Sequence, residues 1–314
     1  LNQSIHAEGH VLVIGTAGLD IVGRATSDLQ VGTSNPSNLR MSFGGVARNV
    51  AENLARLGTD VTLITAVGDD PQGKQLLYQT SEAGVNVEHS LIVPDQPTGI
   101  YLAILDNQGN LHVGMDDMRL IDAITPDHLR QRRDLFKQSV ALFVDANLPT
   151  KTLATAISLA WRANVPIAAD PTSISLAQSL EPHLDRLWLI TPNEPEAEAL
   201  CPHPVPHADI NRAIDAARHL VSHGVEIAII TMAEFGLGYA SADSSGHVPA
   251  LRTEIVDPTG AGDALSAAVI FALLNDIPLD EAVRLGLSAA TLTLRSSGTV
   301  MPDLSLERLY DELR

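Results

Sequence analysis

The chain has 314 residues, 45% of them apolar, and 20 basic against 38 acidic side chains give a net charge of −18 at pH 7. That length suits one large domain or two ordinary ones, and the acidic balance, with no Lys/Arg run, argues against nucleic acid or a membrane surface as partner. The single cysteine, Cys201, excludes an internal disulfide, and the longest nearly apolar run, 265–274, is too short to span a bilayer.

In chain order, LNQSIHAEGH (1–10) has no basic segment followed by an apolar one. No secretory signal is read there, and a cytoplasmic protein is expected. The lack of an initial Met leaves room for residues ahead of Leu1. HVLVIG (10–15) reads as a strand, and 46–57 as an amphipathic helix with Val46, Val50, Leu54 and Leu57 on one face, closed by Gly58. DVTLITAVG (60–68) is a strand and 71–84 a helix. Then come strand SVALFVDA (139–146), helix 150–163, strands VPIAADP (165–171) and LWLITP (187–192), and helix 208–223. Strand VEIAIITM (225–232) and helices 260–275 and 279–294 complete the pattern. The strands are nearly continuous apolar runs, as expected when both faces are covered. Their alternation with helices predicts parallel βαβ units in a doubly wound α/β sheet. Two stretches break the alternation: polar 16–43, and 86–116 with short strands VNVEHSLIV, GIYLAILD and LHVGM. Together they read as a small β-structure at one edge.

Asp257-Pro258-Thr259-Gly260-Ala261-Gly262-Asp263 stands just ahead of the apolar helix LSAAVIFALL. A helix start offers unpaired N–H groups and a positive dipole end, which suit a phosphate. Glycines let a ligand approach the backbone. A carboxylate beside a phosphate is a poor ligand for it but a sensible acceptor for the proton of an attacking hydroxyl. The competing reading is close helix–strand packing, with Asp263 balancing the dipole. Gly44-Gly45 opens helix 46–57, with Asn49 one turn in as donor and acceptor for hydroxyls. A tight turn and a surface Asn would explain it equally. Asn193 and Glu196, three apart in TPNEPEAEAL, would share a helix face and hold Mg²⁺ through water, or simply suit a helix start. TMAEFG (231–236), FVDAN (143–147) and ADPTS (169–173) place polar residues at strand ends, where open α/β sheets bind ligands.

Other motifs fail. There is no GxxxxGK[ST] loop, and Gly260-x-Gly262 and Gly236-x-Gly238 continue to Leu265 and Ser241 rather than to a third Gly. A dinucleotide-dependent oxidoreductase is disfavoured accordingly. The stretch from Cys201 to His207 holds three prolines and reads as a stiff surface loop, and His219 and His223 lack the glutamate of a zinc-protease helix.

The ordered set Gly44-Gly45…Asn49, Asn193-x-x-Glu196 and Asp257-x-Thr259-Gly260-Ala261-Gly262-Asp263 resembles the ribokinase/PfkB carbohydrate kinases over essentially the whole chain. Pro258 replaces the usual Thr or Val, and Ala233 stands where a Gly is usual. The resemblance implies a three-layer α/β/α sandwich with a small β-sheet lid from segments near 16–43 and 95–118. It also implies ATP and Mg²⁺, with K⁺ as a further cofactor, and transfer to a sugar hydroxymethyl. Asp263 would be the base and the N–H groups of Gly260, Ala261 and Gly262 the anion hole. Asp20, Gly44, Gly45, Asn49 and Asn147 would hold the sugar. Asn193, Thr231, Gly236, Gly260 and Gly262 would meet ATP, and Asp257, Thr259 and Gly298 a monovalent cation. Within the family, stretches 34–58, 90–98, 115–118 and 144–148 resemble the branch that phosphorylates pseudouridine. That implies a ribonucleoside whose base meets Asp117 and Met118. Another furanoside, or a non-catalytic sugar sensor on the same fold, stays open. Lid strands of the family pair between subunits, so a homodimer is expected.

Overall fold

Strands with apolar residues on both faces need helices on both sides, and the computed structural model, which describes residues 9–314, has that layering. The part of the opening segment at 1–8 lies outside the described residues. The strands are β1 (His10–Ile14), β2 (Gly18–Ala25), β3 (Ser37–Gly44), β4 (Val61–Ile64), β5 (Ala66–Gly68), β6 (Val85–Asn86), β7 (Leu91–Val93), β8 (Ile100–Leu105), β9 (Leu111–Asp117), β10 (Ser139–Asp145), β11 (Ile167–Asp170), β12 (Leu189–Ile190), β13 (Ile227–Thr231), β14 (Leu237–Ser241) and β15 (Ser245–Val248). The helices are α1 (Val46–Arg56), α2 (Pro71–Glu82), α3 (Pro126–Gln131), α4 (Arg133–Lys137), α5 (Thr150–Arg162), α6 (Ile174–Ala177), α7 (Glu194–Leu200), α8 (Ile210–Ser222), α9 (Ala261–Leu274), α10 (Leu279–Leu294) and α11 (Leu306–Glu312).

Nine strands form the main sheet in the order β15-β14-β13-β12-β11-β10-β1-β4-β6. All neighbours are parallel except at the β13-β14-β15 edge. The chain starts at β1, runs outward through β4 and β6, then returns to β10 and runs the other way. The β1/β10 boundary is therefore the switch point, where open α/β sheets leave a crevice at the strands' carboxyl ends. Alternation along β1 feeds two cores: Leu12 and Ile14 pack on the side of α5 and α8, Val11 and Val13 on the side of α1, α9 and α10. Helix α9 is buried continuously from Asp263 to Ala272, which explains a sequence apolar all round rather than on one stripe.

A second, smaller sheet, the one expected as a lid, has four strands, β3-β2-β8-β9. Asp20 lies opposite Ser42 and Tyr101 on one face, and Leu19 opposite Phe43 and Ile100 on the other. The Asp20 face turns to the core. The other leaves Leu39 70% and Met41 71% exposed.

Several elements differ from expectation. Stretch 60–68 breaks at Thr65, β4 staying in the main sheet while β5 pairs with β7. Only β8 and β9 of stretch 86–116 join the lid; Val85–Asn86 extends the main sheet. In 187–192 only Leu189 and Ile190 pair. The hairpin β14–β15 went unread because its strands carry Gly and Ser where an apolar run would be the signal.

Candidate active site

The site begins where β3 turns into α1. Gly45 holds φ 94°, and a Cβ there would run into Ala17 and the Thr16 carbonyl. A Cβ on Gly44 would overlap the carboxylate of Asp20. Both glycines are thus demanded by protein neighbours, and they let β3 and α1 approach the end of β1. Asp145 fastens the same junction. Its buried carboxylate accepts from the Thr16 N–H (2.7 Å), the Thr16 hydroxyl (2.8 Å), the Asn147 N–H (3.1 Å) and the Ala47 N–H (3.2 Å). In FVDAN, then, the aspartate is a buried strut, and Asn147 beside it reaches only to 3.4 Å from the Thr16 hydroxyl oxygen.

Asn49 donates its side-chain N–H to Oδ2 of Asp263 at 2.7 Å. This joins α1 to the first turn of α9 and refutes the surface-Asn reading. Asp263 and Asp20 are both buried, and each carboxyl is pushed up to about 7. Burial is the main cause for each; the charge of Asp263 adds for Asp20, and the Asn49 hydrogen bond opposes the rise at Asp263. Asp170, next to Asp145 across β10 and β11, is raised by burial and by the charges of Glu196 and Asp263. The crevice is a buried acidic cluster.

Gly260 is the residue before α9. It holds φ 83°, and a Cβ on it would overlap the Thr299 carbonyl. No side chain among the described residues caps the helix, so its first N–H groups face the crevice. Gly262 differs: a Cβ there would meet nothing within 4 Å among the described residues. Beyond lies a cleft of about 680 Å³ with Asn193, Thr231, Gly236, Ala261 and Gly262 on one side and Leu287, Ala290 and Leu294 on the other. Its lining combines apolar side chains (Leu251, Ile255, Leu287) with polar groups and the N–H groups at the start of α9, which suits a ligand with an apolar part and an anionic tail. Ala233, where the family has Gly, takes φ 45° in the turn before Gly236.

Asn193 and Glu196 form a reciprocal cap at α7. Asn193 accepts from the Glu196 N–H at 3.0 Å, and Glu196 accepts from the Asn193 N–H (3.0 Å) and side-chain amide (2.9 Å). Asp257 accepts from the Thr259 N–H at 3.0 Å and faces the Arg40 guanidinium at 3.7 Å. Gly298 precedes Thr299, whose carbonyl abuts Gly260. Met118 packs over Gly18 and Gly99, and Gly18 shares the face of Asp20. Asp117 is opposite Ile100 on the other face, where it pairs with Arg119 at 2.6 Å. The two neighbours on the chain therefore do not meet at one place, because β9 ends at Asp117 and the backbone turns at Met118 (φ −105°, ψ 17°).

Sequence reading missed Arg48 and Thr299. Both are buried and both reach Asn49. The available signal was Arg48, Glu52 and Arg56 at four-residue spacing, which reads as a solvated helix face. Here Glu52 accepts from both arginines inside the protein.

The model of the pfkB family carbohydrate kinases matches residues 8–305. The pseudouridine kinase of Escherichia coli K12 is 33% identical over 298 residues, 95% of this chain and 94% of that protein. The guanosine-inosine kinase of Exiguobacterium acetylicum is 29% identical over 289 residues, 91% of this chain and 95% of that one. Among solved structures, Arabidopsis thaliana ribokinase complexed with ribose and ATP shares the fold, with a TM-score of 0.82, 19% identity, and coverage of 98% of this chain and 99% of that chain.

Proposed function

The chain belongs to the pfkB family of carbohydrate kinases and is a phosphotransferase with an alcohol group as acceptor; from that premise we propose that it moves the γ-phosphoryl group of ATP to the 5′-hydroxyl of pseudouridine. The observation that carries the chemistry is a buried carboxylate, Asp263, at an uncapped helix start beside a cleft of about 680 Å³.

Asn49 holds one oxygen of Asp263. The other takes the proton of the acceptor hydroxyl as its oxygen bonds to the γ-phosphorus. The bond to the bridging oxygen breaks, and ADP leaves. The N–H groups of Gly260, Ala261 and Gly262 face the charge on the transferring group. Asp20, Asn49, Asn147 and the backbone at Gly44 and Gly45 hold the sugar. Asn193, Thr231 and Gly236 line the nucleotide side with Gly260 and Gly262. Burial and the charge of Glu196 push the Asp170 carboxyl up, and burial pushes up that of Glu196; two buried carboxylates would suit a divalent cation as oxygen donors. Asn193 and Glu196 would hold Mg²⁺ through water, where it would supply positive charge against the triphosphate. For K⁺ we assign backbone oxygens near Asp257, Thr259 and Gly298, since the Asp257 carboxylate already faces Arg40.

Pseudouridine as acceptor is favoured by the similarity to the E. coli pseudouridine kinase and by Met118, an apolar lid side chain on the Asp20 face suited to a planar base. Asp117 is left out because it faces away. Guanosine or inosine is the second reading, favoured by the relative that is named for both. A non-catalytic sensor would have no use for Asp263. The exposed lid face with Leu39 and Met41 supports a homodimer formed through a second copy of this sheet. A monomer mass in sedimentation would overturn it.

The test is ATP consumption with Mg²⁺, with and without K⁺, on pseudouridine, uridine, adenosine, inosine, guanosine, ribose and fructose 6-phosphate. Selective turnover of pseudouridine is expected. Turnover of another sugar keeps the chemistry and discards this acceptor. Binding by thermal shift without turnover would favour the sensor.

A further inference from the structure

Arg48 and Thr299 take no part in the steps above, yet both end on Asn49. We propose that they are positioning residues of the transfer site: they lock the Asn49 amide so that its NH₂ holds one oxygen of Asp263 and leaves the other for the acceptor hydroxyl. The catalytic consequence rests on the kinase reading; the geometric lock does not.

A carboxamide fits its cavity almost equally well either way round, so its neighbours decide which end points where. Arg48 carries only donors, and its Nη1 lies 3.1 Å from the Asn49 Oδ1. The Thr299 hydroxyl donates to the same oxygen at 3.0 Å. Turned over, Asn49 would aim N–H groups at the guanidinium and its carbonyl at the Asp263 carboxylate, 2.7 Å away. Arg48, Asn49 and Thr299 are only 5%, 2% and 3% exposed, so water cannot relieve such contacts. One orientation survives.

The lock is itself anchored. Arg48 pairs with Glu52 and donates to the Phe43 carbonyl at 2.9 Å. Thr299 has one hydroxyl proton and two acceptors, Asn49 and the Phe43 carbonyl at 2.7 Å. Arg48 therefore carries the larger share. The Thr299 carbonyl also abuts Gly260, so one residue aligns the base and the anion loop.

Thr299→Val removes the hydroxyl and keeps the shape; Thr299→Ser keeps the hydroxyl and loses a methyl. Arg48→Lys keeps the charge inside the Glu52 pair and loses the forked geometry, with near-UV circular dichroism to confirm folding. In the ligand-free full chain, a carboxyl ¹³C NMR titration, assigned with Asp263→Asn, should show the Asp263 midpoint moving up by about one pH unit in Thr299→Val and Arg48→Lys and staying in place in Thr299→Ser. Turnover should fall about tenfold in the first two with KM for ATP unchanged. Midpoints unmoved in Thr299→Val and Arg48→Lys, or Thr299→Ser as damaged as Thr299→Val, would overturn the proposal. If the wild type phosphorylates no acceptor, the titration still decides the lock, and only the kinase reading falls.

Discussion

The two sides of Asp263 are made of different material. On the side that the proposed transfer gives to the nucleotide, the protein offers backbone: a left-handed Gly260, an open Gly262 and an uncapped helix start. On the acceptor side it offers buried side chains, Asp20, Arg48 and Asn49, fixed by Asp145 and Glu52. A phosphate looks much the same in every substrate and can be met by N–H groups, whereas a sugar must be distinguished by donors and acceptors set at particular points. The first task calls for absent side chains and the second for exactly oriented ones, and each fails in its own way when altered.

The largest effect should come where the two sides meet. Asp263→Asn is expected to lower kcat by about 10³-fold while acceptor binding, read by calorimetry, is largely kept; full activity would remove the base from its role. In the wild type, acceptor-limited kcat/KM should rise with pH through about 7, as the buried carboxyl gives up its proton. Next, the two loop glycines should separate. Gly260→Ala forces a side chain into φ 83° against the Thr299 carbonyl, and should cost about 2 kcal/mol or more of stability in denaturant titration. Gly262→Ala should unfold no earlier than the wild type, since alanine favours a helix by about 0.5–1 kcal/mol, yet should lose ATP-dependent turnover because its methyl fills the ligand's space. Unchanged turnover would mean that the small residue serves packing alone.

The smallest effect concerns the acceptor side. Asp20 has an ordinary value of 3.8 and a folded value of about 7. The folded state therefore holds more protons than the unfolded chain between those values, and stability falls as pH rises across the window. Asp20→Asn should reduce that slope, leaving the share that Asp263 contributes in the same window, and melt higher than the wild type at pH 8, at the expense of acceptor affinity. An equal or lower melting temperature would show that the charge is better compensated than its surroundings imply.

Legibility in sequence followed the same division. The glycine loop and Gly44-Gly45 could be read because a demand on the backbone leaves few residue choices, whereas Asn49 could be read as a site residue only through its place in the ordered set of motifs. Asn193 and Glu196 were read as a metal-organising pair and as a helix start, and the structure shows the cap directly. The βαβ core was legible because strands covered on both faces are apolar throughout. Arg48 was not, since a buried arginine has the same letter as a solvated one and only the fold brings Thr299 to it. Asp145 reads in sequence only as an acidic strand end at the crevice and is a strut in the structure, a distinction set by the N–H groups of Thr16 and Ala47 and the Thr16 hydroxyl, from other segments. Asp117 and Met118 are placed together at a base by the family resemblance, and only the fold separates them, since β9 ends at Asp117. The β14–β15 hairpin left no apolar run to find.

The hydrogen bond from Asn49 to Asp263 spans 214 positions, and that from Thr299 to Asn49 spans 250. During synthesis these contacts therefore wait, with Arg48 and Glu52 already near each other on α1, until residues 263 and 299 have emerged. Local pairing can form early, but closure of so long a loop comes late and slowly. A nascent chain stopped before residue 299 could hold its sheet and the Arg48 contact to Asn49, but would lack the Thr299 contact. Assembly of this site is thus one late step of folding, gained only when segments far apart in the chain meet.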